Sequence, residues 1–231
     1  MDNRMTHPAP VEIPFEKQQP GRSRRMCGAA ALCMVYRSLG VRRVSQQGLW
    51  EQIARPDRNE TRAARTHLLA ASALRHGLTA VCFEASKPWQ VLQRCVAGSV
   101  RAILNHRVRP DSPLGHYAVL VGIDEKEAIL HDPQLGPDRR LARDELLALW
   151  RPADDDSEVA GHVLVAIGPP ATGAASCGVC DAALPSAIAC PKCKSEIPLR
   201  PGGVLGCAGR SCPARLWKRL FCPYCDATVT A

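Results

Sequence analysis

Eight of the chain's twelve cysteines lie after residue 176, in two blocks of nearly the same spacing. The first reads Cys177-x2-Cys180-x9-Cys190-x2-Cys193 and the second Cys207-x4-Cys212-x9-Cys222-x2-Cys225, so the last three cysteines of each block repeat at an offset of 32 residues. Two Cys-Pro-x-Cys turns, CPKC and CPYC, occupy the same place in each copy. Thiolates two residues apart on short hairpins are the donors of a closed tetrahedral metal site. A stretch this poor in large apolar residues needs such a staple to fold. The repeat favours one ion per block, with a crossed pairing of the blocks as the alternative.

Twelve cysteines would mean disulfides in an exported chain. Residues 1–19 are instead polar and Pro-rich, without the apolar run of an export signal, and no stretch reaches the ~18 apolar residues of a membrane span. The expectation is a soluble cytoplasmic protein whose paired cysteines hold two structural zinc ions. Iron competes for four thiolates more credibly than disulfides do. The tail resembles a double zinc ribbon.

The other four cysteines, Cys27, Cys33, Cys82 and Cys95, are scattered among apolar neighbours, which implies a second use for the residue. The formal charge of +8 divides evenly, with 23 Lys/Arg against 19 Asp/Glu in residues 1–170 and 7 against 3 in residues 171–231. Thiolate ligands would offset much of the tail's share, so the basic balance does not argue for nucleic acid. Trp217, Phe221 and Tyr224 lie among Arg210, Arg215, Lys218 and Arg219, and are read as aromatic cover for the metal sites.

Up to about Arg25 the chain reads as an extended lead-in. CGAAALCMVYRSLG then predicts a buried helix opening at Cys27 and stopped by Gly40. Further helices are expected from Ser45 to Arg55, from Thr61 to Gly77, from a Ser86 cap to Val96, and over 142–150. Strands are expected over 78–84, 99–106, 116–123, 128–133 and 161–168. Helices followed by a mostly antiparallel sheet make an α+β domain over residues 1–168. Residues 169–176, PPATGAAS, read as a linker that passes few contacts to the tail at 177–231.

Cys27, at a predicted helix start and preceded by Arg22, Arg24 and Arg25, has the setting that lowers a thiol's pKa from about 8.5. Gly28 would let a substrate carbonyl approach closely. His116 heads one strand of a hairpin and Asp132 ends the other, so the carboxylate can hold the imidazole toward the sulfur. His131 must point to the opposite face, and His106 is a more remote substitute base. Cys33, Cys82 and Cys95 read as small buried hydrophobes.

With CGAAAL, GHYAVLVGI and HDPQLG in this order, residues 15–168 resemble the C39-type peptidases, relatives of papain. The resemblance implies a papain-like fold, a peptide or protein substrate, and Cys27, His116 and Asp132 as a triad. It also implies a glutamine before the cysteine whose amide binds the oxyanion. Gln19 is the first choice and Gln18 the second. Gln19 lies eight residues before Cys27, where the bacteriocin-processing members have a spacing nearer six, so the loop carries an insertion. The expected activity is thiol-dependent amide or peptide hydrolysis through a thioester, with the ribbons recruiting a substrate or protein partner. Acyl transfer to an amine would use the same residues. A catalytically silent papain-like module that binds peptides is the alternative from another class.

Overall fold

The computed structural model describes residues 12–20, 25–56, 60–152, 159–170 and 175–230. Helices come first: α1 (Cys27–Ser38), α2 (Gln46–Ile53) and, after the short antiparallel pair β1 (Ala54–Pro56) and β2 (Arg62–Ala64), α3 (Thr66–Arg75). Next are β3 (Thr79–Ala85), α4 (Pro88–Ala97), β4 (Arg101–Arg107), β5 (Gly115–Ile123), β6 (Glu127–Asp132), β7 (Gly136–Ala142), α5 (Arg143–Leu149) and β8 (Val163–Gly168). The C-terminal region adds β9 (Ala175–Ser176), β10 (Ala183–Leu184), β11 (Ala187–Ala189), β12 (Glu196–Pro198), β13 (Trp217–Phe221) and β14 (Thr228–Thr230).

Local signals explain most helix ends. Gly40 (φ +79°) and Gly77 (φ +74°) take the left-handed turns that stop α1 and α3. Ser45 Oγ accepts the Gly48 N–H at 3.2 Å and opens α2. For α4 the expected Ser86 cap is replaced by Pro88 in the first turn, because the Ser86 hydroxyl is turned to the Arg215 carbonyl at 3.4 Å. The helices expected to reach Arg55 and to begin at Thr61 are cut back. Pro56 disfavours helix for itself and for Arg55, and the chain forms the β1–β2 pair there.

Eight strands form one antiparallel sheet in the order β14-β13-β3-β8-β4-β5-β6-β7. Alternation along the strands gives two cores. Cys82, Ile103, Tyr117, Val119 and Val165 pack with α1 to α3, whereas Phe83, Leu104, Ala118, Leu120 and Leu164 pack with α4 and α5.

The tail is not set apart as the linker reading implied. β13 pairs with β3 in the register Trp217↔Ala85, Leu220↔Phe83 and Phe221↔Cys82, around a bulge after Trp217. Leu199, Val204, Leu205, Leu216, Trp217 and Leu220 are buried in the second core. The physical reason is the open edge of β3: its backbone groups need partners, and the tail supplies a strand. Residues 171–174 of the expected linker, like Arg22 and Arg24, lie outside the described residues. No helix among the described residues is long and apolar enough to cross a membrane.

Candidate active site and metal centres

α1 begins at Cys27 with no side-chain cap and no acidic residue in its first turn. Its free N–H groups and dipole therefore face the cysteine, a setting that favours an anion. α1 can reach the sheet because residue 28 lacks a side chain. A Cβ there would lie 3.0 Å from Ala64 Cβ and 3.1 Å from Tyr117 Cδ2. Close packing, rather than access for a substrate carbonyl, is what this structure asks of Gly28.

β5 begins at Gly115, where any Cβ would come within 2.5 Å of Asn105 Oδ1, and places His116 next. His116 Nε2 meets Asp132 Oδ1 at 2.8 Å, and its ring also hydrogen-bonds Cys27. With Nε2 engaged by the carboxylate, Nδ1 is the atom left for the sulfur. Asp132 is fully buried at the end of β6. Its Oδ1 also accepts the N–H groups of Gln134 (2.9 Å) and Leu135 (3.0 Å), while Arg139 Nη1 reaches Oδ2 at 3.3 Å.

The surroundings shift these three groups in different directions. Burial alone would raise the Cys27 thiol, but the hydrogen bond and charge of His116, with the Tyr117 and Gly28 N–H groups, bring it below its ordinary value. Burial opposes charge on His116 as well. Its bonds to Asp132 and Cys27 more than reverse that and push it up to about 10. Asp132, despite burial, is drawn down to about 2 by the His116 hydrogen bond and charge and by the Leu135 and Gln134 N–H groups. Cys33 and Cys95, where burial meets no such partner, are pushed up to about 12.

The other histidines are occupied elsewhere. His131 Nε2 donates to the Ile13 carbonyl at 2.9 Å and its Nδ1 accepts the Asp138 N–H, so it ties the lead-in to β6. His106 is fully buried and drawn down to about 4 by burial and then by the charge of His116. Gln19, the first choice for the oxyanion, is exposed, and only its backbone N–H is held, by Gln46 Oε1 at 2.8 Å. Gln18 is half-buried, its N–H donates to the Pro133 carbonyl beside Asp132, and its Oε1 is buried without a partner. Gln46, which the sequence reading passed over, fixes this loop through the Glu16 carboxylate and the Lys17 carbonyl as well.

The eight tail cysteines form two groups, Cys177, Cys180, Cys207 and Cys212, and Cys190, Cys193, Cys222 and Cys225, each with its sulfurs within 4.8 Å of one another. The pairing is the crossed one, and the expectation of one ion per block is overturned. β10 and β11 occupy the residues between Cys180 and Cys190, so the two turns of a block are held apart and each meets a turn of the other block.

Three of the four turns share one backbone form. Cys177, Cys190 and Cys222 each accept at their carbonyl the N–H of the residue four later, and those residues, Asp181, Lys194 and Asp226, have φ of +53°, +65° and +61°. Neighbouring sulfurs are 3.7 Å (Cys177 to Cys212), 3.5 Å (Cys180 to Cys207) and 3.6 Å (Cys190 to Cys225 and Cys193 to Cys222) apart. A tetrahedral ion with ~2.3 Å bonds to sulfur requires ~3.8 Å. Both groups fit a four-thiolate metal.

No protein-family model matches the chain, and no curated protein matches it. Solved structures do. A putative C39-like peptidase from Bacillus anthracis superposes with a TM-score of 0.56 at 16% identity, covering 70% of this chain and 97% of that one. A double glycine motif protease from an AMS/PCAT transporter, in complex with the leader peptide, gives 0.49 at 19% identity and covers 69% of this chain and 94% of that one. The peptidase domain of Streptococcus ComA, a bifunctional ABC transporter of a quorum-sensing pathway, gives 0.49 at 17% identity, with 68% and 99% covered. The chain has the papain-like α+β fold of C39 peptidase domains, joined to two four-cysteine groups compatible with zinc ribbons.

Proposed function

We propose that this chain is a thiol-dependent peptide or amide hydrolase. The observation that carries the reading is the chain of hydrogen bonds from Cys27 to His116 to a buried Asp132, with the thiol lowered and the imidazole raised. Such a pair is a thiolate and an imidazolium, the form in which a cysteine attacks carbonyls.

The Cys27 thiolate adds to the carbonyl carbon of the scissile amide. The negative charge that develops on oxygen is met by the Cys27 N–H at the start of α1 and by the side-chain amide of Gln18, in place of Gln19. His116 gives its proton to the leaving nitrogen as the C–N bond breaks, which leaves a thioester. It then takes a proton from water, whose oxygen attacks the thioester carbon and releases the acid and the thiolate. Asp132 remains charged throughout and holds the ring.

Each four-cysteine group would hold one ion, zinc on this reading, through four thiolates with no position left for a substrate, so the role of the two ions would be structural. The test is turnover of peptide substrates by variants that keep the fold. Cys27→Ala and His116→Ala should each abolish it. Asp132→Asn should leave a residue of activity reduced by roughly 10²–10⁴-fold, since Asp132 orients and does not react. Full activity of either alanine variant would exclude the triad.

A further inference from the structure

A pocket of about 190 Å³ opens against Cys27, and both parts of the molecule build it. The peptidase-fold part contributes Ala64 and Thr66 from the β2–α3 junction, Tyr117 from β5 and Val163 from β8. The tail contributes Phe221, the last residue of β13, and Asp226 from the turn that holds Cys222 and Cys225. Both reach the site for reasons already visible in the fold. Phe221 is set by its register with Cys82, itself part of the lining, and Asp226 Oδ1 meets His67 Nδ1 at 2.9 Å across the rim. The solved C39-like peptidase from Bacillus anthracis covers 70% of this chain, and three-tenths of the chain has no counterpart there.

We propose that the tail forms one wall of a subsite for an aliphatic side chain of the substrate, and that Phe221 and Asp226 decide which side chain enters. Tyr117, Val163, Cys82 and Phe221 give the pocket an apolar side, Arg25, Arg65, Thr66 and Asn105 add polar groups to its lining, and the carboxylate of Asp226 is matched at the rim by His67. The volume of about 190 Å³ is enough to take a side chain of leucine size. On this view the second four-cysteine group serves binding indirectly, because it fixes the turn that carries Asp226 and ends the strand that carries Phe221.

This inference rests on the hydrolase reading, and one experiment separates the two. Tripeptidyl acyloxymethyl ketones, with alanine, leucine or tryptophan at each position in turn, are used to label Cys27 in the metal-loaded full chain. Iodoacetamide, which needs no subsite, is the control. The intact protein should favour leucine over alanine at one position by about tenfold or more. Phe221→Ala should reduce that discrimination at least fivefold, and Asp226→Asn, which removes the charge and tolerates the φ of +61°, about threefold, with iodoacetamide labelling unaltered in both. Peptidyl probes that label Cys27 with the same side-chain preference in all three proteins would overturn the tail-wall proposal and leave the hydrolase reading standing. Failure of both probe types to favour Cys27 in the intact protein would overturn the two together.

Discussion

The residues up to Gly168 and those after it solve the same problem by different means. The first part buries Leu32, Met34, Leu69, Ile103, Leu104 and Leu130 in layers on both faces of a sheet, and its cysteines outside the site are simply packed. The tail has a third cluster made of little more than Cys190, Ile197 and Cys222, which could not hold a fold by burial alone. Its eight cysteines gather in two groups that fit metal ions, and β3 holds it from outside. The difference shows that a small cysteine-rich region need not be independent: its weakness in apolar residues is met by joining another region's sheet.

Metal removal breaks this comparison most severely. Structural zinc contributes on the order of 10 kcal/mol in small modules. Because β13 covers the edge of β3 and apolar tail residues complete the second core, loss of both ions should destabilise the whole chain. Scanning calorimetry of the loaded protein should give one transition that falls as a whole on chelation. Two transitions, with only the first sensitive to chelator, would restore a separable tail.

Acid should act on both parts, since thiolate ligands take up protons and release their metal as pH falls, and the share of the first part is read by comparing the intact protein with Asp132→Asn. Asp132 titrates near 3.9 when unfolded and at about 2 when folded, so its contribution is full above the unfolded value and is lost as pH falls toward about 2. His116 runs the other way, full below about 6.5 and lost as pH rises toward about 10. Stability from pH 5 down to pH 2 should therefore fall by ~2 kcal/mol more in the intact protein than in Asp132→Asn. Equal falls would remove the folded carboxylate from this role.

The smallest effect concerns the junction. Glu84 on β3 takes Arg219 Nε at 2.6 Å and Lys218 Nζ at 3.3 Å from β13. The arginine and lysine are partly exposed, and screening limits such a pair, so Glu84→Gln should cost ~1 kcal/mol by denaturant titration and should bring chelator sensitivity closer to that of a lone tail. No change in either would mean that strand pairing and apolar burial alone hold the tail.

Much of this was legible in residues. The 3.6 and 2.0 periods announced α1, α3, β3, β5 and β8, and Gly40 and Gly77 marked ends that the backbone confirms. What escaped reading has physical causes. β7, GPDRRLA, is an edge strand with a mostly polar, accessible surface and carries no apolar alternation. The pairing of β13 with β3 joins positions more than 130 residues apart, which local pattern does not encode. The crossed grouping of the cysteines follows from where strands separate the turns, not from the repeat itself. The burial of Gln18 and exposure of Gln19 turn on Gln46, whose amide clamps the loop from α2.

The most direct test of the site is the rate of alkylation of each cysteine by iodoacetamide across pH, read by peptide mass spectrometry. Cys27 should react well below the ordinary thiol range near 8.5, with Cys33, Cys82 and Cys95 silent, and His116→Ala should move its profile up to that range or beyond. A Cys27 profile that lies at or above the ordinary range in the intact protein, and does not move in His116→Ala, would contradict a thiolate–imidazolium pair.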